Sequence, residues 1–410
     1  MSAAPPLRAF IGGPGKSLFG RMHEPRIQTY RADFVGEVDP DIVVLPCSQP
    51  LKFDPSAISL PPRALQRLRD GSAALVFDGS LEGVPHDPAW TDALHGLLRR
   101  LGVAAERAAY VTQDRGYRQA YASHRASTGD GPAMHVLNYD YWIKRFFAGY
   151  EADGEAIFEQ RLQAFHRRPG RRTKRFVSLN WTPRPSKMLF LLSLLRDDLW
   201  SRGHISFGGF ESLAEHKDRT RASVRRILRG GPFAELIEPM GAELEALEGL
   251  GRVALDAPAD MTPAAELRSG DAPLPEYQDA WFSVATESEM LDRPSRITEK
   301  PFKPLVNFHP ILLLGNPGSL PLLRQLGFET FDGGFDEAYD EEADPIARFE
   351  MVYRQLVRLC AIDEGEVARL HAAMAERIIF NARWGLTKLP GVLRTQVDRA
   401  FVDQLLDAVG

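Results

Sequence analysis

Residues 281–318 read WFSVATESEMLDRPSRITEKPFKPLVNFHPILLLGNPG, and this stretch decides the fold of the second half of the chain. It contains two short apolar runs, Trp281–Ala285 and Pro310–Leu314, which lack the polar alternation of a half-exposed strand. Each run is therefore predicted to be a buried strand of a parallel sheet. A polar loop follows the first run and a glycine-rich turn follows the second. Both loops lie at the carboxyl edge of the sheet, where open α/β sheets bind ligands.

The loops of this stretch carry side chains suited to a diphosphate. A nucleoside diphosphate gains negative charge when its bond to a sugar breaks. Without a metal ion, this charge is stabilised by helix amino termini, lysine and arginine. We expect Thr298 to cap a short helix, Lys300 and Arg296 to reach phosphate oxygens, and Lys303 to supply a further cation. Glu299 is expected to accept hydrogen bonds from ribose hydroxyls. The predicted donor-binding residues of the stretch are Glu287, Arg296, Thr298, Glu299, Lys300 and Lys303.

Buried strands alternate with helices through the rest of the chain as well, which predicts mainly parallel sheets covered by helices on both faces. Further strands are predicted at Asp41–Leu45, Ala73–Phe77, Ala109–Thr112, Ala133–Leu137 and Phe176–Leu179. Helices are predicted at Pro61–Asp70, Pro88–Leu101, Lys187–Leu199, Leu320–Leu326, Pro345–Cys360 and Gly365–Phe380. The fold class is α/β, with two Rossmann-like lobes and a cleft between them.

The length of 410 residues also favours two lobes, because domains usually hold about 100–200 residues. The basic loop His166–Arg175 is taken as the boundary. This gives an N-terminal lobe at 1–170, a C-terminal lobe at 171–345 that contains the diphosphate-binding candidates, and helices at 346–410 that brace both lobes. The alternative for the basic loop is a solvated charged segment.

The composition excludes several function classes. The net charge of -5 argues against a general nucleic-acid binder, which usually carries a basic surplus. The two cysteines, Cys47 and Cys360, provide no zinc-ligand spacing and no disulfide framework. The first residues show no signal peptide, and the apolar runs are shorter than the ~20 residues of a membrane span. We expect a cytoplasmic protein, with peripheral contact to the inner membrane left open.

Three other motifs are set aside. Ile11–Ser17 (IGGPGKS) has the wrong glycine spacing for a phosphate-binding P-loop and no clear strand before it. A glycine-rich turn of this kind still lets a ligand approach the backbone closely. Asp39-Pro40-Asp41 precedes a strand rather than following one, so it is interpreted as a turn. The acidic run Asp336–Asp344 is interpreted as a solvated face. No metal and no cofactor are expected.

The segment TES…ITEKPFKPL…HPILLLGNPGSL, within residues 281–327, resembles the donor-binding motif of inverting fucosyltransferases and related bacterial polysaccharide glycosyltransferases. The resemblance implies a GT-B fold with its donor site in the C-terminal half. The loop between Glu287 and Thr298 lacks the aromatic–glycine spacing of typical fucosyltransferases, which leaves the sugar open. The E-x7-E pair common in retaining GT-B enzymes is absent there, which favours inversion.

A second segment carries the same resemblance. RFVSLNWTPRPSKMLFLLSLL, at Arg175–Leu195, is similar to the opening of the C-terminal lobe in these transferases. The resemblance implies that Arg184 faces the diphosphate at the end of a strand. The alternative for Arg184 is a surface loop residue.

The N-terminal lobe contains candidates for a catalytic base. An inverting transferase needs a carboxylate that takes the proton from the attacking hydroxyl. In LVFDGSLEG (Leu75–Gly83), Asp78 ends a predicted strand and Glu82 follows it, so either is placed for this role; each could instead cap the next helix. His135, near the edge of the same predicted sheet, is a candidate acceptor contact.

The sequence therefore predicts a glycosyltransferase that moves a sugar from a nucleoside-diphosphate sugar to a glycan or other hydroxyl acceptor, lipid-linked acceptors included. The first alternative is a non-catalytic protein that binds nucleotide sugars or glycans. The second is a different nucleotide-dependent transferase built around the glycine-rich N-terminus. The sugar, the acceptor and the oligomeric state are not assigned.

Overall fold

The computed structural model describes residues 6–12, 17–22, 24–31, 39–47, 53–129, 131–168, 171–210, 228–229, 231–255, 275–293 and 295–409. The chain divides into two compact units. Unit 1 comprises Met1–Arg145 and Gly391–Gly410, and unit 2 comprises Phe146–Pro390. The division thus differs from the boundary near residue 170 that the basic loop suggested.

Aromatic packing explains why the division falls earlier. Phe147 lies against two rings of unit 2, with centroids 5.2 Å from Phe302 and 6.0 Å from Phe328. Phe158 stacks on Phe308 at 5.6 Å. The helical stretch before the basic loop therefore buries its apolar side chains in unit 2.

Unit 1 is built on a parallel sheet of six strands in the order β2-β1-β3-β4-β5-β6. The strands are β1 (Leu7–Ile11), β2 (Ile27–Arg31), β3 (Ile42–Pro46), β4 (Ala74–Asp78), β5 (Ala108–Thr112) and β6 (His135–Asn138). The strand order reverses between β1 and β3. β1 leads directly into the glycine-rich turn, so the expectation of no strand before that turn was wrong. Gly13–Lys16 of the turn lie outside the described residues.

The helices of unit 1 follow the predicted alternation. They are α1 (Pro62–Arg69), α2 (Pro88–Leu101), α3 (Tyr117–Thr128) and α15 (Asp398–Val409), with α4 (Tyr141–Ala148) spanning the division. Asp87 caps α2, and Gly102 ends it in the left-handed conformation at φ 70°. Phe401, Val402 and Leu405 of α15 are buried in the same cluster as β-strand residues of this unit. This burial places the C-terminal helix in unit 1.

Unit 2 contains a parallel sheet of four strands in the order β10-β9-β7-β8. The strands are β7 (Phe176–Asn180), β8 (Gly203–Phe207), β9 (Phe282–Thr286) and β10 (Ile311–Leu314). The chain runs from β7 to β8 on one side and then to β9 on the other. The strand order therefore reverses between β7 and β9, and such switch points are where open α/β sheets bind ligands. The α/β class with parallel sheets in two sets is confirmed.

Helices of unit 2 cover the sheet and continue to its C-terminal end. They are α5 (Gly154–His166), α6 (Pro185–Arg196), α7 (Ala234–Ile237), α8 (Gly241–Leu250), α9 (Phe302–Val306), α10 (Ser319–Gln325), α11 (Pro345–Ala361), α12 (Glu364–Ala373) and α13 (Ala375–Arg383); α14 (Leu389–Val392) spans the division. The predicted helix Gly365–Phe380 is two helices, separated at Met374. The predicted acidic face is partly structural, because buried Asp340 accepts hydrogen bonds from Ser319 N and Leu320 N at the start of α10, both 3.0 Å.

Candidate functional site

A cavity of about 150 Å³ opens at the carboxyl ends of β7 and β9, at the switch point of the unit 2 sheet. Residues from the loops after both strands line it. The polar and aromatic side chains that matter below are Trp181, Arg184, Lys187, Glu299, Lys300 and Lys303. Four of these six side chains are basic, so the cavity is suited to an anion with more than one negative charge.

Two of the basic side chains come from the start of α6. Pro185 occupies the first helical position and ends the extended loop after β7, with Arg184 as the residue before the helix. Lys187 follows one turn later and is only 3% exposed. Burial and the positive charge of Lys300 lower the pKa of Lys187 to about 7, while nearby carboxylates act in the opposite direction. A desolvated lysine at a cavity wall binds an anion without first losing a hydration shell.

Lys187 was not predicted as a site residue. In the sequence it opened a predicted apolar helix, Lys187–Leu199, and was given no role of its own. Its spacing of three residues from Arg184 was the available signal, because residues three apart in a helical turn lie on one side of it.

Glu299 and Lys300 also line the cavity, from the loop after β9. Their side chains are 22% and 23% exposed, and Lys300 Nζ lies 3.4 Å from Glu299 Oε1. Burial alone would raise the pKa of Glu299, but the charges of Lys300 and Lys303 outweigh it and lower that pKa to about 2. Glu299 is therefore ionised at neutral pH and accepts hydrogen bonds only.

Thr298 does not cap a helix, which corrects the prediction. The helix after it, α9, begins at Phe302, with Pro301 before it and no side-chain cap. Thr298 is instead held by the buried carboxylate of Glu287, which accepts from Thr298 N at 2.8 Å and from Thr298 Oγ1 at 2.6 Å. The hydroxyl in turn accepts from Lys300 Nζ at 3.0 Å. Glu287 and Thr298 thus position Lys300 but are not among the residues that line the cavity.

Gly315 leaves room for the side chain of Glu287. A Cβ atom on Gly315, directly after β10, would lie 3.2 Å from Cγ of Glu287. The first glycine of the glycine-rich turn therefore packs closely on the side chain of Glu287.

Arg296 is placed differently from the expectation. Its guanidinium forms a two-pronged ion pair with Glu289, at 2.7 Å and 3.2 Å, and the residue is 5% exposed. It is not among the cavity-lining residues. The sequence could not reveal this, because the glutamate seven residues earlier was interpreted as part of the same polar loop.

Asp78 of unit 1 is fully buried and accepts hydrogen bonds through both carboxylate oxygens. Ser17 Oγ donates at 2.6 Å and Leu18 N at 2.8 Å to one oxygen, while Ser80 donates to the other through N at 3.1 Å and Oγ at 2.6 Å. Burial raises the pKa of Asp78, and these hydrogen bonds oppose the rise. The network joins the turn after β1 to the end of β4, which is a scaffold geometry.

The other two unit 1 candidates lie at opposite edges of the sheet. Glu82 is half-buried in the loop after β4, at the carboxyl edge. His135 is the first residue of β6 and pairs with Ala109 near the start of β5, so it lies at the amino edge. Its Nε2 lies 3.1 Å from the carbonyl oxygen of Glu106. This placement gives no support to His135 as an acceptor contact.

Solved structures similar to the chain include three trehalose-phosphate synthases. The α,α-trehalose-phosphate synthase (UDP-forming) of Burkholderia vietnamiensis is 15% identical, with a TM-score of 0.41 over 89% of this chain and 71% of that one. The α,α-trehalose 6-phosphate synthase of Burkholderia multivorans is 13% identical, with a TM-score of 0.40 over 91% and 72%. A trehalose-6-phosphate synthase studied for glycosyl transfer with retention is 14% identical, with a TM-score of 0.40 over 91% and 76%.

Likenesses this distant assign neither substrate nor stereochemical course. No family model matches the chain, and no curated protein matches it. None of these comparisons supports the fucosyltransferase resemblance.

The described part of the chain also lacks two kinds of feature. No helix there is long and apolar enough to cross a membrane. No three His, Cys, Asp or Glu side chains there are grouped so as to hold a metal ion.

Proposed function

We propose that the chain is a glycosyltransferase that binds a nucleoside-diphosphate sugar in the unit 2 cavity. One observation carries the proposal: four basic side chains surround a cavity at the switch point of a parallel sheet. They come from two segments far apart in sequence: Arg184 and Lys187 lie at the start of α6, and Lys300 and Lys303 lie just before and within α9.

The charges account for the choice of a diphosphate. A nucleoside diphosphate gains negative charge as the bond to the sugar breaks, and fixed cations stabilise that charge. Lys187 and Lys300 are both held in place, the first by burial in α6 and the second by Thr298. We propose that these cations meet the charge of the leaving group without a divalent ion.

Glu299 supplies the contact to the sugar part of the nucleotide. A carboxylate with a pKa of about 2 accepts hydrogen bonds at neutral pH, and ribose hydroxyls donate them. We propose that Glu299 binds the ribose beside the cationic residues. This arrangement favours a nucleotide over inorganic diphosphate, which has no hydroxyl groups of that kind.

We further propose that unit 1 binds the acceptor and provides the base for an inverting reaction. A base must accept a proton, and both oxygens of Asp78 are already engaged by serine and backbone donors. Glu82 is half-buried and lies at the carboxyl edge of the sheet. Glu82 is therefore favoured over Asp78.

The first test is a thermal-shift screen with UDP, GDP, CMP and dTDP and their sugars, GDP-fucose included, in EDTA. A ligand that binds only the folded state raises the melting temperature by mass action. We expect one nucleotide class to stabilise the protein, with the shift reduced in Lys187→Met and Lys300→Met. Lys388→Ala removes an exposed positive charge of unit 2 and serves as the matched control. Failure of every nucleotide to stabilise the protein contradicts the proposal.

The stabilising donor then separates an enzyme from a binding protein. Release of the nucleotide in the presence of a glycan panel shows transfer, and NMR of the product gives its anomeric configuration. Loss of release in Glu82→Gln with unchanged nucleotide binding supports Glu82 as the base. Binding without release under any condition supports the non-catalytic alternative, and retention of configuration contradicts inversion.

A further inference from the structure

Trp181 is an aromatic residue at the cavity that sequence reasoning did not assign. It is the first residue after β7 and lines the cavity with Arg184 and Lys187. Unlike a core tryptophan, it is only partly buried. A large ring is thus presented next to the groups proposed to hold the diphosphate.

The indole ring of Trp181 packs against a cation. The guanidinium of Arg252 lies 4.5 Å from the ring centroid, a cation–π contact. Arg252 is itself anchored, because its neighbour Val253 pairs with Phe207 at the end of β8 through hydrogen bonds of 2.7 Å and 2.8 Å. The orientation of the ring is therefore fixed before a ligand binds, which lowers the entropic cost of stacking.

Trp281 provides an internal comparison. The guanidinium of Arg172 lies 3.9 Å from its ring, yet Trp281 is 5% exposed, precedes β9 and is packed 5.6 Å from the ring of His371. Both tryptophans carry an arginine, but the one at the amino edge is enclosed by protein and Trp181 borders a cavity. The arginine contact is thus part of the core packing at Trp281. At Trp181 the arginine contact leaves part of the ring surface open to a ligand.

We propose that Trp181 is a stacking platform for a ring of the donor substrate, joined to the diphosphate that the neighbouring cations bind. This inference rests on the proposed function. Two rings of a nucleotide sugar have flat faces that stack on an indole, the nucleobase and the apolar face of the hexose. Trp181 has no hydrogen-bond partner among the described residues, so its indole N–H is available to an oxygen of the same ligand.

The test compares ligands that contain both rings, one ring or none. Affinities of inorganic pyrophosphate, UDP, UDP-glucose, GDP and GDP-fucose are measured by calorimetry for the wild-type chain, Trp181→Ala and Trp181→Phe. We expect Trp181→Ala to lower the affinity for the ligands that contain these rings about 10-fold, in line with aromatic stacking elsewhere. Trp181→Phe should restore most of the lost affinity. Pyrophosphate affinity should stay within about two-fold, because its contacts are to the cations.

The ligand series also identifies the ring. A loss already present with UDP or GDP assigns the nucleobase, and a loss confined to the nucleotide sugars assigns the hexose. Quenching of fluorescence on nucleotide binding should also decrease in Trp181→Phe, which leaves the other five of the six tryptophans in place.

Three outcomes contradict the proposal. If the wild-type chain binds the nucleotides tightly and Trp181→Ala binds them equally well, Trp181 does not stack on the ligand, and the proposed function stands. An equal loss for pyrophosphate means that the substitution collapses the cavity wall and that no stacking is involved. Failure of the wild-type chain to bind any of the five ligands or any other nucleotide of the thermal-shift screen overturns both this inference and the proposed function.

Discussion

The two units have the same architecture, a parallel sheet whose strand order reverses once, but the carboxyl edges of the two sheets are organised differently. In unit 2 the switch point borders a cavity surrounded by basic side chains. At the corresponding edge of unit 1, Asp78 ties the turn after β1 to the loop after β4. The lining of one edge has four basic side chains and one carboxylate, Glu299, and the other edge holds a buried carboxylate supplied with donors.

The difference shows how to judge a carboxylate at the end of a strand. Asp78 ends β4 and Glu287 directly follows β9, so the sequence places both at ligand-binding edges. In the structure each accepts hydrogen bonds from loop residues of its own unit, and Glu287 does not line the unit 2 cavity. What marks the candidate site is instead the excess of basic side chains over carboxylates among the residues that line the cavity. A position at the end of a strand makes a carboxylate a candidate for ligand binding. A full set of hydrogen bonds to the protein then identifies it as structural.

The largest effect is expected from Asp78→Ala. Removing the carboxylate leaves buried donors of Ser17, Leu18 and Ser80 without their acceptor, and the free energy of unfolding should fall by about 3 kcal/mol or more. Urea unfolding measures the change, with Asp407→Ala as a control that removes an exposed carboxylate of the same unit. Normal stability with complete loss of transfer would instead make Asp78 a catalytic residue and remove the contrast between the two edges.

The second effect concerns Lys187 and the pH dependence of nucleotide binding. Its pKa of about 7 lies below the ordinary lysine value of 10.5, so the side chain is charged below pH 7 and becomes neutral above it. Affinity for the stabilising nucleotide should therefore fall as pH rises from 6 to 8.5, and binding near pH 7.5 should take up a proton. Calorimetry in buffers of different ionisation enthalpy measures that uptake.

Lys187→Met isolates this contribution. We expect about a 10-fold loss of affinity at pH 6.5, since hydrogen bonds to charged groups contribute about 1.5–3 kcal/mol. The variant should keep only the pH dependence that comes from the nucleotide itself. An unchanged pH profile in the variant would show that Lys187 does not contact the ligand, and the cationic site would then consist of the three remaining basic residues.

A smaller effect is expected from Glu287→Gln. The amide keeps the size of the side chain but accepts through one oxygen only, so Thr298 loses one of its two hydrogen bonds to this group. Lys300 should then be less well fixed, and nucleotide affinity should fall about 5-fold, within the range of one net hydrogen bond. Glu350→Gln, at an exposed glutamate of α11, is the matched control. A loss as large as that in Lys300→Met would mean that Glu287 contacts the ligand directly.

Much of this fold follows from local patterns in the sequence. α2 has the predicted bounds because its signals are local: an apolar face, Asp87 before the helix and Gly102 after it. β2 and β8 were missed because they are edge strands, and their sequences IQTYR and GHISF mix polar with apolar residues. β1 was missed because its second residue, Arg8, is charged; in the structure it pairs with Asp41 at 3.1 Å.

The site was predictable in its place but not in its details. Arg184, Glu299, Lys300 and Lys303, four of the residues predicted from separate segments, line one cavity, and their binding of a donor stays a prediction. The roles of Thr298 and Arg296 depend on which glutamate each contacts, and several glutamates in one loop offer the same chemistry. Only the folded backbone selects Glu287 for the first and Glu289 for the second.

The smallest effect is expected at His135, which tests the other edge of the unit 1 sheet. His135→Ala removes one contact to a backbone carbonyl on the surface, so stability should change by less than about 0.5 kcal/mol and transfer by less than two-fold. The residue begins β6, and the carboxyl edge with Glu82 lies at the opposite ends of the strands. The transfer assay with the identified donor, run beside Glu82→Gln, provides the comparison. A marked rise of KM for the acceptor in His135→Ala would place the acceptor at the amino edge, and the assignment of the acceptor to the carboxyl edge of unit 1 would then fail.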